Sequence, residues 1–157
     1  MANALLFLTM LSIGGIVATS LSGFRAIPGA STGMHIILAL GTVLIALFSQ
    51  SMIMFFFIGT GKEIRTKAKG VADEREVLGR IRAYRAAVFP AAMWAILAVM
   101  VTFILGGGVH RGSFPPWMHT VTAVISAYYL GRAYWIEAKA MNSNAELMDR
   151  FLREEIP

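Results

Sequence analysis

The feature that most constrains the fold is an uncharged apolar run from Ile36 to Ile58. At about 1.5 Å per helical residue, this run is long enough to cross the roughly 30 Å hydrocarbon core of a bilayer. A basic group follows it, made of Lys62, Arg65, Lys67 and Lys69. Because basic residues next to a span stay on the cytoplasmic side, the run predicts a membrane helix with His35 at its outer end.

The rest of the chain has the same character, with 57% hydrophobic residues and only 15% charged residues. The apolar residues are gathered into four runs, which predict spans at about residues 2–22, 33–60, 86–106 and 116–136. A charged connector at 61–85 and a polar C-terminal helix at 137–157 complete a single membrane domain covering residues 1–157. The predicted fold is therefore an all-α integral membrane protein, a four-transmembrane-helix bundle with a polar helical extension.

The distribution of Lys and Arg predicts the orientation. Of the 14 such residues, only Arg25 and Arg111 lie in the loops that follow the first and third spans. The positive-inside rule then places both termini in the cytoplasm, in a multi-pass protein of the inner (cytoplasmic) membrane of a bacterial cell. The same rule accounts for the net charge of +5, so no nucleic-acid partner is expected. The absence of cysteine excludes disulfides, thiolate metal sites and iron–sulfur clusters.

The most informative pattern is a short motif that occurs twice in the chain, and we call this repetition the echo. Met34 and His35 open the second predicted span, and Met118 and His119 open the fourth, 84 positions later. An alanine follows each histidine by four positions and a hydroxyl residue follows it by seven; these residues are Ala39, Thr42, Ala123 and Ser126. The echo fits either two helical-hairpin repeats in parallel or chance, because Ala, Ser and Thr are common in membrane helices.

If the hairpins repeat, His35 and His119 lie at the same depth and can face each other across the bundle. In outline, this arrangement resembles the haem-binding four-helix core of b-type membrane cytochromes. The resemblance implies one haem b with His35 and His119 as axial ligands. Those cytochromes repeat the histidine about fourteen positions along the same helices, where this chain has Ser49 and Ala133, so at most one haem is implied.

Two other interpretations of the histidines stay open. They can be packing or interface residues, since small and hydroxyl residues pack membrane helices without any cofactor. They can also contribute to a metal site at the outer end, for which copper suits the residue types. Its candidate ligands are Met34, His35, His110, Met118 and His119.

Three functions follow from these interpretations. The first is an accessory or structural subunit without catalytic activity of its own, which has the lipid bilayer, other membrane subunits or a second copy of itself as partners. The second is an electron-transfer subunit that binds haem b. The third is a small membrane enzyme acting on a lipophilic substrate, for which no catalytic residues can be named. The first is the leading expectation, because most of the chain consists of apolar residues suited to lipid contact and helix packing.

Overall fold

The computed structural model describes residues 2–25 and 32–153. Of these residues 92% are helical, and no strand occurs among them. The four helices are α1 (Ala2–Phe24), α2 (Thr32–Lys67), α3 (Glu74–His110) and α4 (Pro116–Arg153). The prediction of an all-helical bundle is therefore confirmed.

Three of the helices are long and apolar enough to cross a membrane, namely α1 from Asn3, α2 and α3. In α4 the apolar stretch is interrupted by Arg132 and then gives way to polar residues from Glu137 onward, so apolarity alone does not identify a span. The fourth span, at 116–136, stays a prediction. Residues 154–157 of the predicted C-terminal helix lie outside the described residues.

Beyond the apolar run, α2, α3 and α4 continue as helices and pack on one another. The segment predicted as a connector, 61–85, consists mostly of the end of α2 and the start of α3, joined by a tight turn. Gly70 in this turn has a φ of 82°, a left-handed conformation that glycine adopts without a steric penalty. Arg150 of α4 pairs with Asp73 at 2.6 Å, and this ion pair joins the end of α4 to the start of α3. We call this end of the bundle the basic end and the opposite end, with His35 and His119, the histidine end.

The middle of the bundle is closed by small residues. Ala46 of α2, Ala91 and Ala95 of α3, and Ala133 of α4 are all buried in one apolar cluster. Because alanine carries a single methyl group, helix backbones can approach closely at these positions, as is usual in membrane bundles.

The four helices contact one another to different extents. In the order of the chain, α1 packs mainly on α2, α2 on α3, and α3 on α4, with a smaller contact between α2 and α4 and the least between α1 and α4. The apolar window of α1 is also less buried than those of α2 and α3. The first helix is therefore peripheral, because it is attached to the bundle almost entirely through α2.

The alanine contact between helices can be tested by overpacking. Ala95 is 0% exposed, so Ala95→Leu forces large atoms into a packed interface and should destabilise the fold by about 1–3 kcal/mol. Ala127→Leu is the matched control, because Ala127 is exposed on α4. Unfolding of the purified protein in detergent should separate the two variants, and equal stabilities would contradict this packing.

Candidate functional site

The structure brings His35 of α2 and His119 of α4 together at the histidine end. Their ring centroids are 6.2 Å apart, and the planes of the two imidazoles meet at 76°. Both rings are half-buried, and they come from opposite hairpins of the chain. The pair lies where α2 and α4 approach each other, near the ends of both helices.

The preceding helix of each hairpin orients its histidine. The Nδ1 atom of His119 lies 3.1 Å from the backbone carbonyl of Thr102 in α3. The Nδ1 atom of His35 lies 2.9 Å from the hydroxyl of Ser22 in α1. That hydroxyl donates its own hydrogen to the carbonyl of Thr19, at 2.8 Å.

These partners assign the tautomers. A carbonyl oxygen only accepts, so Nδ1 of His119 must carry the hydrogen. The hydrogen of the Ser22 hydroxyl is already donated to Thr19, so Nδ1 of His35 must also donate. In the neutral form of each ring, Nε2 then keeps a lone pair, and this is the nitrogen that can bind a metal.

A glycine lies against each histidine ring. A Cβ atom at Gly23 would lie 3.0 Å from Cε1 of His35, and one at Gly106 would lie 2.9 Å from Cε1 of His119. Both distances are too short for ordinary carbon contacts. The two rings therefore occupy their positions because α1 and α3 have no side chain at these points.

A pair of hydroxyls joins the helices of each hairpin about two turns from its histidine. Thr19 bonds to Thr42 at 2.8 Å, and Thr102 bonds to Ser126 at 2.7 Å. The analysis of the sequence included Thr42 and Ser126 but missed their partners in α1 and α3. A signal was present, because a threonine precedes a glycine by four positions in both helices, as Thr19 precedes Gly23 and Thr102 precedes Gly106.

Among the other candidate metal ligands, His110 does not join the pair. His110 is exposed, and the side chain of Met34 is 61% exposed. Across residues 2–25 and 32–153, no group of three or more His, Cys, Asp or Glu residues is placed to hold a metal ion. The structure therefore brings His35 and His119 together and leaves His110 apart from them.

A second group of polar side chains is buried nearer the basic end. We call it the polar cluster; its members are Ser12, Ser49, Gln50, Tyr134 and Glu137. The amide nitrogen Nε2 of Gln50 donates to Oε2 of Glu137 at 3.3 Å. The side chains of Ser12, Ser49 and Gln50 surround the hydroxyl of Tyr134, with Glu137 close by.

The polar cluster was not predicted from the sequence as a site. Gln50 lies 15 residues beyond His35, or about 22 Å along α2, which is well inside the apolar run. Helical spacing offered a signal, because Glu137 follows His119 by 18 residues, or about five turns. The two residues therefore lie on the same face of α4, and this face points into the bundle.

No protein family, curated protein or solved structure matches the chain significantly.

The hydrogen bonds of the histidine pair predict that each ring, in its neutral form, carries its hydrogen on Nδ1. Nitrogen NMR of histidine-labelled protein in detergent at neutral pH distinguishes this tautomer from the Nε2–H form, and His35→Asn and His119→Asn assign the signals. The exposed His110 provides an internal reference for a solvated ring. Detection of an Nε2–H form at either position would show that the assignment is wrong.

The contact between Gly106 and His119 predicts a position-specific effect of alanine. Gly106→Ala should push the ring away from Thr102 and lose a hydrogen bond worth about 0.5–1.5 kcal/mol. Gly107→Ala is the neighbouring control, because a Cβ there meets nothing within 4 Å. Thermal unfolding in detergent should rank Gly106→Ala below the wild type and Gly107→Ala at or above it. An equal effect of both substitutions would argue against the close contact.

Proposed function

We propose that the protein binds one b-type haem between His35 and His119 and transfers electrons within the membrane. The observation that carries this proposal is the pair of facing imidazoles, each fixed by an Nδ1 hydrogen bond and each with its Nε2 lone pair free. When it is bound, haem supplies a one-electron redox centre in a protein whose own side chains include no cysteine.

The spacing of the rings supports two axial ligands on one metal. Metal–imidazole bonds are about 2.0–2.1 Å long, so two imidazoles bound to the same metal from opposite sides have centroids about 6 Å apart. The observed separation is 6.2 Å. Gly23 and Gly106 lie against the rings, and one turn further along α2 and α4 the residues are Ala39 and Ala123. These small residues favour a flat macrocycle between the hairpins.

The Nδ1 hydrogen bonds have a role in this proposal. A ligating histidine usually donates its second N–H to a carbonyl or another acceptor, which fixes the ring orientation and makes the free nitrogen a better ligand. Thr102 supplies such a carbonyl to His119, and Ser22, held in turn by Thr19, supplies an acceptor to His35. Both rings are therefore held in the orientation that a metal ligand requires.

Matching contacts in the two hairpins support the interpretation as a parallel repeat. In each hairpin the first helix contributes a threonine and, four positions later, a glycine, and the second contributes the histidine and, seven positions later, a hydroxyl. The threonine bonds to the hydroxyl, and the glycine lies against the histidine. We infer that the two hairpins are copies of one unit and that α4 crosses the membrane in the same direction as α2, with both histidines towards the outer face.

The proposed haem is single. Fourteen positions beyond the histidines the chain has Ser49 and Ala133, and both are buried. The same region contains the polar cluster, whose largest side chains are those of Tyr134, Gln50 and Glu137. Since side chains occupy this part of the bundle, we place no second haem there.

A second proposed role, as an accessory subunit in a larger membrane complex, is compatible with the first. The peripheral helix α1 exposes Gly14 and Ala18, four positions apart, and a Cβ at Gly14 would meet nothing within 4 Å. Small residues at this spacing allow a neighbouring membrane helix to approach closely. We propose that α1 faces a partner subunit, which would exchange electrons with the haem.

A reduced-minus-oxidised visible spectrum tests the haem proposal. Protein purified in detergent from its native source, or reconstituted with haem b, should show the sharp α-band of low-spin haem with two histidine ligands. His35→Ala and His119→Ala should each lose low-spin haem, because one axial ligand is missing, whereas His110→Ala should keep the wild-type spectrum. A featureless spectrum from folded wild-type protein after reconstitution would rule out the haem, and the accessory role would then stand alone.

A further inference from the structure

We propose that the polar cluster of Ser12, Ser49, Gln50, Tyr134 and Glu137 binds a single Na⁺ ion. This site is separate from the histidine pair and does not depend on the proposed haem. Three helices contribute to it, since Ser12 belongs to α1, Ser49 and Gln50 to α2, and the other two residues to α4.

The first argument concerns the charge of Glu137. Its side chain is only 1% exposed, and it contacts Gln50, which belongs to the apolar run of α2. A carboxylate in a medium of low dielectric is strongly unfavourable unless a positive charge accompanies it. Glu137 therefore requires a cation from the protein or from solution, or a proton.

No basic side chain in the described part of the chain provides that charge. Arg132 and Lys139 are the nearest cations along α4, and both are exposed. Arg85 of α3 is engaged elsewhere, because it donates to the carbonyls of Phe57 and Ile58 at 3.3 Å and 3.1 Å. The only hydrogen bond to the carboxylate among these residues comes from the neutral amide of Gln50.

The second argument concerns oxygen atoms without partners. Five buried oxygens of the cluster have no hydrogen bond of ordinary geometry: Oγ of Ser12 and Ser49, Oε1 of Gln50 and Glu137, and the hydroxyl oxygen of Tyr134. Buried polar atoms are nearly always paired in folded proteins. The side chains of Ser12, Ser49 and Gln50 are close enough to the Tyr134 hydroxyl for weak hydrogen bonds, but a cation bound to all five oxygens would satisfy them at once. A proton on Glu137 adds one donor, whereas a hard cation accepts lone pairs from several oxygens at once.

The composition of the cluster selects a monovalent ion. Ca²⁺ and Mg²⁺ also bind oxygen, but protein sites for them usually combine several carboxylates or keep bound water. Here one carboxylate is accompanied by an amide and three hydroxyls, so a single positive charge neutralises the site. In membrane transporters Na⁺ is likewise held by neutral oxygens at the centre of the bilayer. A site with one carboxylate and four neutral oxygens fits Na⁺.

Thermal unfolding of the full-length protein in detergent tests the proposal. A ligand that binds only the folded state raises the apparent Tm with its concentration, so NaCl should stabilise the wild type more than choline chloride of equal ionic strength. Glu137→Gln keeps the shape of the side chain but removes the charge, and it should abolish the difference between the two salts. His35→Ala should retain the difference, which separates this site from the histidine pair.

Two further substitutions define the ligands. Ser49→Ala removes one oxygen and should raise the half-saturating Na⁺ concentration about 3- to 10-fold, as expected for the loss of one polar contact. Ser51→Ala is the matched control, because Ser51 lies two positions away on α2 and its hydroxyl bonds to the carbonyl of Leu47. An unchanged Na⁺ dependence in Ser49→Ala would contradict the proposed ligand set.

Labelling with dicyclohexylcarbodiimide distinguishes Na⁺ from a proton, because this apolar reagent modifies protonated carboxyl groups inside membranes. At a Na⁺ concentration about ten times the dissociation constant, labelling of Glu137 should slow about tenfold as the free site is depleted. Peptide mapping separates Glu137 from the other carboxylates. Equal labelling in NaCl and choline chloride would identify a protonated carboxyl only and overturn the proposal, as would equal Tm values in the two salts.

Discussion

The structure depends on the absence of water from the interior of a membrane bundle. A polar side chain that enters this interior must find its partner within the protein, because lipid offers none. The hairpins meet this requirement with short hydroxyl pairs between helices, Thr19 with Thr42 and Thr102 with Ser126. These bonds set the register of the two helices in each hairpin. The same register brings Gly23 and Gly106 against the histidines.

The two candidate sites differ in how many of their polar atoms have a hydrogen-bond partner. At the histidine end each Nδ1 has a hydrogen-bond partner in the preceding helix, and the two ring centroids lie 6.2 Å apart. In the polar cluster only one of the five side chains donates a hydrogen bond to another member, from Gln50 to Glu137. The first arrangement fixes the orientation of two imidazole rings, and the second leaves oxygen lone pairs open. These differences are the basis of the proposed haem ligation and of the proposed cation site, respectively.

Much of the fold could be predicted from local sequence. The uncharged run of α2 predicts a long apolar helix without any knowledge of its neighbours. Two further helices are also long and apolar enough to cross a membrane. The pairing of His35 with His119 also had a sequence signal, since the two residues occupy equivalent places in the echo. The span predicted for α4 has a weaker local signal, because its apolar stretch is interrupted by Arg132 and gives way to polar residues from Glu137 onward.

The polar cluster shows why contacts between distant parts of the sequence could not be predicted. Ser12, Gln50 and Glu137 are far apart in the sequence and meet only because three particular helices adjoin one another. Helical spacing places residues on the faces of one helix, but it does not determine which helices pack together. The sequence therefore predicted Glu137 only as the first residue of a polar C-terminal helix, although it is almost fully buried.

The peripheral position of α1 has a further consequence. This helix makes few contacts with α3 and α4, yet it provides Ser22 and Gly23 to the histidine end and Ser12 to the polar cluster. Any ligand that needs these groups favours the docked position of α1, and docking in turn favours the ligand. Thermodynamic linkage makes this effect reciprocal for each such ligand taken by itself. The least tightly packed helix is thus the element that the histidine end and the polar cluster share.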